Sequence, residues 1–197
     1  MKNEGILFII SGPSGVGKTS LAREAISRVT KDFNIKKVTT YTTRPIRENE
    51  TDCQDYFFLS QEEFENKFKN GFFLETTKYD NHKYGSPAHI LEDLKLGKSF
   101  VIVTDMLGIK NISNLHKDSI FIWISPPSIK ELRRRIIKRQ GHAENKIEDR
   151  LTLAEQEMKE AHEKTRIINW FLVNEVFEKS VNELEKIIKK ELNSKIK

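Results

Sequence analysis

Residues 5–29 read GILFIISGPSGVGKTSLAREAISRV. Gly5–Ser11 is a short, continuous apolar run, the pattern of a strand buried on both faces. Gly12, Pro13, Ser14, Gly15, Val16, Gly17, Lys18 and Thr19 then match GxxxxGK[ST], and Ser20 follows. Leu21 to Val29 carries apolar residues at helical spacing, so the segment reads as strand, loop and helix. Each residue type has a physical reason. Glycines let the backbone wrap until consecutive N–H groups face an anion. The following helix adds the positive end of its dipole. Lys18 can reach β and γ phosphates, and the Thr19 hydroxyl can bind Mg²⁺. The segment predicts a site for ATP or GTP with Mg²⁺.

The rest of the chain sets the frame around that loop. At 197 residues it suits one domain with room for a sizeable core. Charged residues make up 32%, but the apolar residues fall in discrete clusters, which argues for a well-solvated folded protein over a disordered one. A net charge of +5 fits polyanionic ligands and does not separate nucleotides from nucleic acid. A nucleic-acid binder would need an aromatic stacking platform or a groove-reading motif, and none is identifiable. Cys53 is the single cysteine, so neither an internal disulfide nor CxxC metal spacing is available, which fits a reducing compartment. The run ILFII is too short for a signal segment, and no stretch approaches the roughly 20 apolar residues of a membrane span. The expectation is a soluble, cytoplasmic protein.

Further along, buried strands alternate with helices. A strand is expected near 36–39, and another in YFFL at 56–59 after an irregular polar stretch. Ser60 with Glu63 forms a capping box that opens a helix to about Lys69, ended by Gly71. FFLE at 72–75 reads as a strand, and 77–85 as a turn with a short strand. Ser86 and Pro87 read as an N-cap and first helical residue, with Gly97 as a C-cap. SFVIVTD at 99–105 and SIFIWIS at 119–125 are buried strands. Ser128 and Glu131 make a second capping box before a helix bearing Arg133, Arg134, Arg135 and Arg139. A loop at 140–146, a long helix from about 147 to 166, a strand at 169–174 and an amphipathic helix at 178–194 complete the chain. This rhythm indicates a three-layer α/β fold with a mainly parallel sheet. The polar, arginine-bearing excursions at 40–85 and 139–150 belong at the carboxyl ends of the strands, where such folds bind ligands.

The excursion VTTYTTRPIRENETDCQDYFF, residues 38–58, resembles the acceptor-site signature of the guanylate kinase family, TTRxPRxGE followed by a tyrosine six residues later. Arg44, Arg47, Glu50 and Tyr56 stand at that spacing. Glu75, Tyr84 and Ser86 match the family's second acceptor segment, and Asp105, Met106 and Gly108 its strand end. Arg135, Arg139 and Arg150 match lid arginines, and Val173-Asn174-Glu175 the segment near the ATP base. The likeness runs from Ile6 to about Ile188. It departs at Thr40, a serine in the family, at Asn49 and Cys53, both glycines there, and at Pro45, Val103, Leu107 and the lid residues 139–142.

The resemblance implies a P-loop nucleoside monophosphate kinase fold of one domain. Its core would be 1–36, 87–138 and 151–197, with a GMP-binding lobe at 37–86 and a lid at 139–150. It implies ATP:GMP phosphotransfer with Mg²⁺, no nucleic-acid or membrane partner, and a monomer or homodimer. Residues 12–20, Arg135 and Asn174 would take ATP, with Thr19 on the metal. Arg44, Arg47, Tyr56 and Tyr84 would hold the acceptor phosphate by paired and hydroxyl hydrogen bonds. Glu75 would accept from both donors of the guanine edge, with Thr40, Ser86 and Asp105 completing the cage. Asp105 is equally suited to a water-mediated Mg²⁺ contact. Glu50, a carboxylate beside a phosphate site, is assigned to holding an arginine. Lys18, Arg44, Arg139 and Arg150 form the catalytic set, carrying positive charge to the transferring phosphoryl. Two relatives in kind are the alternatives: a ribose 1,5-bisphosphate phosphokinase, which has no use for Glu75, Tyr84 and Ser86, and a phosphopeptide-binding module, which would dispense with Lys18 or the lid arginines.

Overall fold

The computed structural model describes residues 4–48, 50–79, 81–140, 144–164 and 166–195; for residues 139–140 and 144–146 it describes the backbone alone. Five strands form the central sheet: β1 (Leu7–Ser11), β2 (Ile35–Lys37), β7 (Ser99–Val103), β8 (Ile120–Ser125) and β9 (Trp170–Val173), in the order β2-β7-β1-β8-β9 and parallel throughout. Burial on both faces explains why these strands read as unbroken apolar runs. Phe8 and Ile10 of β1 point one way, Leu7 and Ile9 the other. The first pair packs with α1 (Lys18–Val29) and α7 (Phe177–Ser194). The second packs with α3 (Ile90–Lys95), α4 (Met106–Leu115) and the end of α6 (Glu144–Glu163). Helices on both faces of a parallel sheet make the three expected layers. A smaller cluster, with Leu132, Ile136, Ile147 and Leu151, joins α5 (Ile129–Gln140) to α6.

A second, four-stranded sheet stands off this core in the order β4-β3-β6-β5, built from β3 (Thr40–Thr42), β4 (Tyr56–Phe58), β5 (Phe73–Tyr79) and β6 (His82–Pro87). α2 (Gln61–Lys69) connects its halves. The Ser60–Glu63 box is present in both directions, and Gly71 follows the helix with φ 66°. The first strand of this sheet differs from expectation. Thr40–Thr42 lies within a stretch expected to be irregular, yet it pairs with both β4 and β6. Its alternation is carried by two buried threonines around Tyr41, not by an apolar run.

Other boundaries also differ. Ser86 and Pro87 end β6 and do not open a helix; they pair with Glu75 and Phe73, and α3 starts at Ile90 behind His89. The strand expected at 72–75 continues to Tyr79. α4 was not expected at all. Asp105 caps it, its Oδ1 accepting the Gly108 N–H at 2.8 Å, and Met106, Ile109 and Ile112 bury its inner face. The Ser128 hydroxyl accepts from the Glu131 N–H, but the Glu131 carboxylate accepts from Arg134 and Arg135. The loop expected at 140–146 narrows, since α5 runs to Gln140 and α6 begins at Glu144.

Trp123, fully buried, packs among Ile9, Ile109 and Ala161 in the second core cluster. Trp123→Ala is expected to cost about 3–5 kcal/mol, read from the urea unfolding midpoint.

Candidate active site

The P-loop is seated at the carboxyl end of β1, where the chain switches from one side of the sheet to the other. Backbone crowding holds it there. A Cβ on Gly12 would come within 2.1 Å of the Ile124 carbonyl oxygen of β8. Gly17, at φ 98°, is the N-cap of α1, and a Cβ there would meet the Asn174 amide at 2.8 Å. Asn174 braces the loop from the end of β9. Its Nδ2 donates to the Val16 carbonyl at 2.7 Å, and its own N–H donates to Ser125. The Lys18 ammonium donates to the carbonyls of Gly12 at 2.5 Å and Pro13 at 3.1 Å.

Across the cleft, β3 and the turn after it present Arg44. This arginine is 8% exposed and is immobilised on several sides. One terminal nitrogen donates to both Glu50 oxygens at 2.9 and 2.8 Å, the other to Pro45 O at 2.6 Å, and the guanidinium faces the rings of Tyr56 and Phe58. Glu50 also accepts the Arg47 N–H at 3.1 Å. The carboxylate thus orders both arginines, as expected, and partly offsets their charge. The rings of Tyr56 and Tyr84 lie 6.1 Å apart beside them. Between Glu50 and Tyr56 the chain passes through Cys53, which adopts φ 65°, a left-handed conformation strained for a side chain of this kind.

The far end of the cleft is acidic. Glu75 of β5 is 7% exposed. The Ser86 hydroxyl donates to its Oε1 at 2.7 Å, and its Oε2 has no partner among the described residues. Burial pushes the Glu75 carboxyl up to about 7, the Ser86 hydrogen bond opposes the shift, and the charge of Asp105 adds to it. Glu157 of α6 is equally buried, and burial likewise pushes it up to about 7 despite the attraction of Lys18.

One cleft of about 440 Å³ joins the two ends. Of the expected residues it brings together Gly12, Ser14, Gly15, Gly17, Lys18, Thr19, Ser20, Thr40, Arg44, Arg47, Tyr56, Glu75, Tyr84, Ser86, Asp105 and Arg150. Pro13, Val16, Arg135 and Asn174 lie outside its lining; Arg135 donates to Glu131 at 2.8 Å. The Arg139 side chain and residues 141–143 of the expected lid lie outside the described residues. Sequence reasoning missed Glu157, Thr77, Thr104, and the ion pair of Arg23 on α1 with Asp55 in the turn before β4. Glu157 had a signal. It follows Arg150 by seven residues, two helical turns, and so shares its face.

The guanylate kinase family model matches residues 4–191. The chain belongs to the guanylate kinase family. It is 38% identical over 184 residues to a guanylate kinase of Bdellovibrio bacteriovorus, covering 92% of this chain and 95% of the relative. It is 39% identical to one of Coxiella burnetii, covering 96% and 89%. Among solved structures, guanylate kinase from Anaplasma phagocytophilum superposes with a TM-score of 0.79 at 27% identity, covering 97% of this chain and 88% of that one. These likenesses span the central sheet, the second sheet and α7 together, so the family's architecture extends over the whole cleft.

The raised Glu75 carboxyl has a consequence for stability. A carboxyl that ionises later in the folded state than at its ordinary 4.5 lends stability at low pH, and that contribution is lost as pH rises towards 7. Glu75→Gln is therefore expected to be more stable than the parent at pH 8, by roughly 2–3 kcal/mol. Thermal melts across pH check this: the difference should shrink steadily towards pH 5.

Proposed function

We propose that the chain is a guanylate kinase, transferring the γ-phosphoryl group of ATP to GMP or dGMP. The observation that carries this reading is Glu75, a buried carboxylate with one oxygen tied to Ser86 and the other unpartnered, at the opposite end of the P-loop's own cleft. Guanine offers an N–H and an amine on one edge, and such a carboxylate can accept from both. Adenine offers an acceptor there and would leave the buried oxygen unsatisfied, which is how sites of this kind reject a wrong base.

The remaining roles follow from charge and reach. The loop N–H groups and Lys18 would seat the ATP phosphates, and Arg44, Arg47, Tyr56 and Tyr84 the acceptor phosphate. Thr40 and Ser86 would flank the base, with Asp105 beside them. Phosphoryl transfer needs alignment and neutralisation of charge, and an acceptor phosphate is already ionised, so no general base is called for. Lys18 and Arg150 would carry positive charge to the transferring group, with Arg139 joining from α5 and Arg135 and Asn174 supporting the nucleotide from outside the cleft lining. Among the described residues no three acid, His or Cys side chains gather into a metal cage. The Thr19 hydroxyl, which lines the cleft, fits Mg²⁺, an ion that binds through one or two protein oxygens with phosphates and water. Thr19 would hold it, and the ion would neutralise charge on the transferring phosphates. We assign the core to 1–36, 87–138 and 151–197, the acceptor lobe to 37–86 and the lid to 139–150, in a cytoplasmic monomer or homodimer. No described helix is long and apolar enough to cross a membrane.

A coupled ADP-release assay with ATP and GMP, dGMP, AMP, UMP or ribose 1,5-bisphosphate tests the assignment. Turnover is expected with GMP and dGMP, with AMP at least about 100-fold slower. No ADP release with GMP would overturn the reading, and comparable rates with AMP would remove Glu75 from base recognition. Lys18→Ala should lower kcat by about 10³-fold or more with GMP binding retained. The Glu75 carboxyl, at about 7 in the free enzyme, must be ionised to accept both guanine donors. Hence kcat/KM for GMP should fall about tenfold per pH unit below that point and level off above it.

A further inference from the structure

We propose that Arg23 and Asp55 are a positioning pair for the transfer step, whose ion pair sets the acceptor clamp opposite the P-loop by tying the outer edge of the second sheet to α1. This rests on the phosphotransfer reading of the cleft and gives a role to two cleft-lining side chains that reading leaves unused. The Arg23 guanidinium donates to Asp55 Oδ1 across 32 residues of sequence. Arg23 follows Thr19, the proposed Mg²⁺ ligand, by one turn of α1, and both line the cleft. Asp55 immediately precedes Tyr56, whose ring centre lies 5.5 Å from the Arg44 guanidinium. The carboxylate is firmly presented. Its side chain is 12% exposed, its Oδ2 accepts the Thr51 N–H at 3.0 Å, and the Asp55 N–H donates to the Thr51 carbonyl at 3.0 Å. One side chain thus closes the turn into β4 and meets α1 as well.

The topology shows what such a tie can do. In the order β4-β3-β6-β5, the chain enters the second sheet at β3 through residues 38–39 and leaves it from β6 through 88–89. Both covalent connections therefore sit at the inner strands, a hinge about which the sheet can tilt. Side chains secure the outer strands. At the β5 edge, Asn111 of α4 donates to the Thr76 carbonyl at 3.2 Å. At the β4 edge, Arg23 of α1 donates to Asp55. Arg44, Arg47, Tyr56, Glu75, Tyr84 and Ser86 all belong to this lobe. A tilt therefore keeps most of the acceptor's contacts and changes chiefly its distance from the donor loop. Arg23 has a side chain 64% exposed, and an ion pair of that kind adds little to stability. Its leverage is on the orientation of one sheet against the other, where a misplacement of about 1 Å slows transfer steeply.

A double-mutant cycle with Arg23→Gln and Asp55→Asn tests this, because each removes one charge and the Asn keeps an acceptor for the Thr51 N–H. Steady-state kinetics on the acceptor the parent prefers should show kcat lowered about 3- to 10-fold in either single variant and no further in the double variant. KM for both substrates should stay within about twofold of the parent, with the melting temperature unchanged. Arg23→Lys, which keeps the charge, should recover part of kcat. Three outcomes would overturn the proposal: single variants at the parent's kcat, losses that add in the double variant, or losses that track thermal stability. A loss in Arg23→Gln with Asp55→Asn at the parent's rate overturns it as well, since Arg23 would then act on the phosphates directly. A parent that phosphorylates another acceptor overturns the GMP reading and leaves this comparison intact. A parent that phosphorylates none overturns both, since nothing is then positioned.

Discussion

The close approach of the P-loop backbone to the end of β8 is the contact on which the rest of the structure depends. With the Ile124 carbonyl 2.1 Å from where a Gly12 Cβ would lie, the loop sits on the sheet rather than above it. Its backbone is therefore held close against the sheet. Neighbouring elements share the task. Asn174 at the end of β9 ties Val16, and Ile136 of α5 closes over Gly15. The parallel sheet brings these otherwise distant segments to one edge.

The two ends of the cleft then face opposite electrostatic problems. The donor end and the Arg44–Arg47 clamp concentrate positive charge, and Glu50 keeps the clamp ordered without a ligand. The Glu75 end concentrates buried acids. Burial, with the charge of Asp105 adding to it, holds Glu75 and Glu157 well above the ordinary carboxylate range. Burying carboxyls without full hydrogen-bond partners is costly, and such perturbed groups cluster at functional sites. The cleft is thus ordered at the arginine clamp and leaves a buried carboxylate oxygen without a partner among the described residues at its Glu75 end.

The parts legible in the sequence were those whose physics is local. The P-loop needs glycines at set intervals, the Ser60 box needs a glutamate three residues on, and strands buried on both faces need unbroken apolar runs. What escaped was set by partners distant in sequence. Thr40–Thr42 is a strand because β4 and β6 flank it. Ser86 and Pro87 have a cap-and-proline pattern, but pairing with Glu75 and Phe73 holds them in β6. α4 hid behind a signature read as a strand end, whose aspartate carboxylate turns out to cap the helix as well as line the cleft.

The sequence by itself determined a phosphate-binding P-loop, a three-layer α/β core, and a second cluster of arginines, tyrosines and a glutamate at spacings that match one family. Local backbone geometry and side-chain chemistry suffice for that much. Only the tertiary structure decided that both clusters share one cleft, that Asn174 braces the loop from outside it, and that Glu50 orders the arginine clamp through short hydrogen bonds. It also placed Glu157, buried, in the wall of that cleft. Burial and charge proximity depend on how elements distant in sequence pack together, and no single segment carries that information.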